Sequence, residues 1–150
     1  MTASDHQALP RWNVTDVHES LDARSFTDAL ELVGADVERL VVLFDELDIR
    51  STERSIEPAD GDKADRAIAE FNRVSDALNL LDAYVYSIVS TDSRHEHAQA
   101  VMSEINTTES WLRPLLARLA DWVAALGADE IANVSAEARE HLGPLQRFAE

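Results

Sequence analysis

His95-Glu96-His97 is the segment whose residue types come nearest to a metal chemistry. A zinc helix of the H-E-x-x-H kind needs two histidines four residues apart, so that both imidazoles leave the same face. The fourth position after His95 is Gln99, and on a helix the rings of His95 and His97 diverge by roughly 200°. The segment therefore reads as a solvated first turn in which Glu96 serves the cap; an adventitious metal site at His95 and His97 is the weaker alternative. Di-metal bundles use Glu-x-x-His on facing helices. None of His6, His18, His95, His97 and His141 has a glutamate three positions before it. Glu137 and His141 stand four apart, the spacing of an ordinary surface pair.

Carboxylate pairs do acid–base work when they are buried and held at unequal pKa. Pairs such as Asp45 and Asp48 lie on faces that periodicity gives to water. With four glycines in the chain there is no phosphate-cradling loop and no G-x-S-x-G elbow. Tyr84 and Tyr86, two residues apart, cannot both face a core, so one hydroxyl belongs at a surface. Trp111, Trp122, Phe71, Phe44 and Phe148 follow the apolar stripes and read as core. Three N-x-S/T sequons, at Asn13, Asn106 and Asn133, read as chance matches without a secretory signal. From the residues themselves, no catalytic, cofactor-binding or metal-ligating position is assigned.

The elements behind these residues are helical. The chain has 150 residues, 45% of them hydrophobic, which suits one ordinary core. Residues 1–23 show no sustained period and read as an extended arm whose Trp12 docks on the helices. A helix beginning near Ser25, with Asp28 three residues on, carries Phe26, Leu30, Val33, Val37, Leu40, Val41, Phe44 and Leu47 as one stripe. Residues 49–61, with Pro58 and Asp60-Gly61, read as a loop. A second helix from Asp62 carries Ala64, Ile68, Phe71, Val74, Leu78, Leu81, Val85 and Ile88. Its period runs through the β-rich Tyr84–Val89 and keeps that segment helical.

Ser93 and Glu96 form an S-x-x-E start for a third helix, whose stripe is Val101, Ile105, Trp111 or Leu112, Leu115, Leu119, Trp122 and Leu126. Pro114 predicts a bend near Ser110 within one helix, and Gly127 predicts its end. Short helical pieces follow around 129–133 and 135–142, stopped by Gly143-Pro144. The predicted fold is all-α: an up-down bundle of three long helices with short terminal helices, residues 24–150 forming one domain behind the arm.

Charge limits the partners. There are 29 acidic residues against 13 basic ones, a formal net charge of −16. Such a chain is repelled by phosphate backbones and anionic lipid, so nucleic acid and membrane surfaces are not expected partners. Lys63 is the sole lysine beside twelve arginines, which fits a salt-rich cytoplasm or merely a GC-rich genome. With no cysteine there is no disulfide framework or thiolate chemistry. Neither a signal peptide nor a membrane span is visible, and a cytoplasmic location is expected.

The order of the segments resembles a known family. Leu9-Pro10-Arg11-Trp12-Asn13-Val14-Thr15-Asp16-Val17 is similar to the opening of oligoendopeptidase F and its relatives among the thimet-oligopeptidase-like zinc peptidases. Ala83-Tyr84 through Ser90-Thr91-Asp92, followed by Ala98-Gln99-Ala100, resembles the end of that family's second helix and the start of the next. Leu119-Ala120-Asp121-Trp122-Val123 resembles the aromatic-bearing helix after it. His18 departs from the family's frequent tyrosine, and 49–61 is unusually acidic and polar.

The resemblance implies an N-terminal accessory domain that forms a wall and part of the lid of a channel admitting short peptides. It implies that zinc and the catalytic glutamate sit on an H-E-x-x-H helix far downstream, in a catalytic domain of the same polypeptide. No residue here matches that motif, so this chain is predicted inactive alone, and its end after Phe148 fits a cut before the catalytic domain. The alternative is a stand-alone acidic helical module that recruits a basic partner.

Overall fold

The computed structural model describes residues 17–148. The expected docking of Trp12 lies outside these residues. The described chain is all-helical: α1 (Arg24–Glu46), α2 (Ala59–Thr91), α3 (Glu96–Leu126), α4 (Ala128–Val134), α5 (Ala136–Glu140) and α6 (Leu142–Phe148). None of the described helices is long and apolar enough to cross a membrane.

The apolar stripes bury as their periods require. Phe26, Val33, Val37, Leu40 and Phe44 of α1 meet Ala64, Ile68, Val74, Leu78, Leu81 and Val85 of α2. Val101, Ile105, Leu112, Leu115, Leu119 and Trp122 of α3 complete the layer, and Ala138 of α5 and Leu145 of α6 extend it. Two expected stripe members differ. Val41 is exposed, and Trp111 is 52% exposed while Leu112 takes the core position. Adjacent positions on a helix are 100° apart, so only one of the two can face inward.

Paired residues fix how α1 lies on α2. Phe26 stacks against Tyr84, Arg73 pairs with Asp36, and Phe44 stacks against Phe71. Positions rising along α1 thus meet positions falling along α2. Beside α3, Arg118 reaches α1's Asp45 at 2.8 Å and donates Nε–H to the carbonyl of Ile49 at 3.0 Å.

Helix ends depart most from expectation. α1 starts at Arg24 behind Ala23, which offers no side-chain cap, and Ser25 instead holds His18 Nδ1 at 3.0 Å. At its other end Asp48 has a φ of 58°. The Ile49 and Asp48 amides donate back to the carbonyls of Phe44 and Asp45, closing a Schellman motif with a non-glycine residue at its left-handed position.

Residues 59–61 are helical and shorten the expected loop, because the Asp60 carboxylate accepts the Glu57 N–H at 2.8 Å and anchors the first turn of α2. α3 is capped by His95, whose Nδ1 accepts the Ala98 N–H at 3.1 Å, and not by Ser93 with Glu96. It continues unbroken through Pro114 to Gly127, as expected of one helix.

Gly143-Pro144 stops nothing. Both residues lie in the first turn of α6, where the missing proline N–H would have no intrahelical acceptor anyway.

Candidate functional site

The histidine corner was the first candidate. His95 and His97 sit with ring centroids 6.4 Å apart, beside Tyr84, Ile88 and the turn residues Glu19 to Asp22. One ring nitrogen of His95 is occupied by the helix cap, and His97 Nδ1 is 3.7 Å from Asp22. Among the described residues, no group of three or more metal-ligating side chains comes together. His141 lies 3.7 Å from Glu137 and 3.2 Å from the Asn72 amide, so the i, i+4 pair also bridges to α2. Asp45 and Asp48 are exposed, each paired with an arginine.

Burial of charge occurs elsewhere, at Asp60 in the segment read as a loop and at Asp36 within the α1 stripe. Asp60 is fully buried, and Arg54 grips it with two N–H···O bonds of 2.7 Å. That fork, opposed by burial, holds the Asp60 carboxyl below its ordinary range. Asp36 is buried between Arg39 and Arg73. Burial pulls its carboxyl upward, but the hydrogen bonds and charges of both arginines outweigh this and leave it lowered. The hydrogen bond from Arg73 likewise lowers Glu70. Asp65 accepts Ser135 Oγ–H at 2.6 Å and the Glu137 N–H at 3.0 Å, tying α2 to the start of α5. No buried side-chain polar atom lacks a partner among the described residues.

One of these charges was legible. Asp36 stands between Val33 and Leu40 on the core stripe, three residues before Arg39, a spacing that pairs charges on one face. Asp60 carried no such signal, since its partner lies in an irregular segment. Arg54 neutralises Asp60, and Arg39 and Arg73 neutralise Asp36 and Glu70, so these charges tie their segments together.

What remains open is surface. Between α2 and α3 a groove of about 230 Å³ has Phe71, Leu78, Leu112 and Leu116 as its apolar lining. Ser75, Asn79, Glu109 and Arg113 supply hydroxyl, amide and both charges along its edges. Tyr84 is buried, its hydroxyl donating to the His18 carbonyl at 3.1 Å, while Tyr86 is 63% exposed. One tyrosine hydroxyl is thus presented to the surface, as the spacing required. A wider groove of about 580 Å³ lies between α1 and α2, lined by Val42, Leu43 and Ala69 with Arg39, Glu46, Arg66 and Glu70.

No protein-family model matches the chain, and neither the curated proteins nor the solved structures include a significant match to it.

Proposed function

We propose that this chain is the N-terminal accessory domain of an oligopeptide-cleaving zinc metallopeptidase, working in the cytoplasm. It is read as an up-down three-helix bundle that forms part of a channel wall. The observation that carries the reading is the α2/α3 groove. Its apolar lining, bordered by an amide, a hydroxyl, an acid and a base, suits an extended peptide, whose backbone needs hydrogen bonds and whose side chains need apolar contact. The order of segments that resembles the oligoendopeptidase F family supports the same reading.

The mechanism at this chain is steric. Helices α2 and α3 narrow the approach so that only short, unfolded peptides reach a catalytic centre carried by another domain of the polypeptide. Zinc and the general base belong to that domain, and no step of hydrolysis is assigned to a residue here.

An antibody raised against these residues tests the proposal on extract of the source cells. A band several times heavier than 17 kDa, whose immunoprecipitate cleaves short peptides and loses that activity with chelator, is the expected result. A single band near 17 kDa, or a heavy band without chelator-sensitive cleavage, would overturn it. The second reading, a self-sufficient acidic module, is favoured by the pairing of every buried side-chain polar atom among the described residues, and the single light band is its expected outcome.

A further inference from the structure

The outer face of α1 and α2 carries a pattern that the channel-wall reading does not use. Along α1, Leu32, Arg39, Leu43 and Glu46 lie along one side of the helix at seven-, four- and three-residue steps and form one ridge above the buried Asp36. Along α2, Arg66, Glu70, Arg73, Ala77 and Leu80 form the facing ridge. Because the two helices pair in opposite order, Leu32 stands at the level of Leu80 and Glu46 at the level of Arg66. Leu32 is 56% exposed and Leu80 57% exposed, an unusual placement for two leucines on one face. At the other end Val42, also exposed, borders the groove between Glu46 and Arg66. Neither Glu46 nor Arg66 has an ion-pair partner among the described residues.

We propose that this face pairs with the same face of a second copy of the chain. The argument is charge complementarity under two-fold symmetry. A two-fold axis lying in the interface and parallel to the helices sets each α1 against the partner's α2 at the same level. Glu46 of one copy then meets Arg66 of the other, and the reverse pair forms at the symmetry-related place. Leu32 and Leu80 meet in the same reciprocal way. Each α1 runs opposite to the α2 it contacts, the favourable sense for helix dipoles. The face exposes Arg39, Arg66 and Arg73 beside Glu46 and Glu70, with Asp36 buried beneath two of the arginines, so these six charges balance locally on a chain of net charge −16. Two such chains repel across most of their surfaces; here they do not.

Sedimentation velocity on the full chain over a range of concentrations tests the pairing. It is run in about 0.15 M salt, where the screening length is ~8 Å, so that repulsion between distant acidic surfaces is damped while charge pairs in contact still act. A dimer is expected. Arg66→Glu weakens it at least about tenfold, because two like-charged pairs replace two opposite ones. Glu46→Arg combined with Arg66→Glu restores the association, and Leu32→Glu abolishes it. All three positions are exposed, and unchanged circular dichroism confirms that each variant folds. A wild-type monomer at every concentration would overturn the proposal. So would a dimer that the single charge reversal leaves intact, or one that the double reversal fails to restore.

Discussion

Arg54 and Asp60 form a two-bond fork, both bonds 2.7 Å, across the turn that leads into α2, with the carboxylate wholly out of water and the guanidinium about one-third exposed. The asymmetry predicts unequal costs. Arg54→Ala strands a buried carboxylate with only Lys63 at 3.7 Å and one backbone N–H, and costs about 3–5 kcal/mol. Asp60→Asn keeps the shape and lets Arg54 turn to solvent, at about 1–3 kcal/mol. Urea unfolding midpoints give the order, and equal losses would contradict it.

Acid should unfold the protein through the same groups. Asp60, Asp36 and Glu70 are all lowered in the folded state. The unfolded chain therefore binds protons first as pH falls. The stability these groups contribute is fully present above about pH 4–4.5, the unfolded carboxylate range, and is lost as pH drops through the lowered folded values. Thermal midpoints between neutral pH and pH 2 should fall below that point, and Asp60→Asn should flatten the fall.

Two helical glycines should respond oppositely to alanine. A Cβ at Gly61 would lie 2.2 Å from the carbonyl oxygen of Val134, where α4 ends against α2. Gly61→Ala should destabilise by about 1–3 kcal/mol through overpacking, despite alanine's better helix propensity. A Cβ at Gly34 meets nothing within 4 Å. Gly34→Ala should stabilise by about 0.5–1 kcal/mol. Matched thermal unfolding of the pair decides both.

Asp48 occupies the left-handed position of the Schellman motif that ends α1. An L-residue there costs roughly 1–2 kcal/mol in backbone strain, less for aspartate than for most. Asp48→Gly should raise stability by up to about 1 kcal/mol, because only the exposed Arg50 ion pair is lost. A drop in the unfolding midpoint would show that the ion pair matters more than the strain.

The three core stripes were legible because each depends on one helix's own period. Ile68, Val74, Leu78 and Val85, or Ile105, Leu115 and Trp122, bury wherever a partner surface exists. Tyr84–Val89 stayed helical against its β-propensity for the same reason. The ends were less legible. His95 displaces Ser93 as a cap, and Asp60 draws residues 59–61 into α2. Those outcomes depend on where one side chain reaches, which the linear spacing leaves open.

From sequence alone follow the all-helical class, the core positions and the absence of any recognisable catalytic motif, since periodicity and residue chemistry are properties of short segments. The tertiary structure decided the rest: that Trp111 lies outside while Leu112 lies within, that Gly61 clears a carbonyl 73 positions along the chain, and that Asp36 is clamped between Arg39 and Arg73. Each of these is a meeting of distant segments. Hydrophobic periodicity says which face of a helix turns inward, but only packing says which neighbour, and which charge, it finds there.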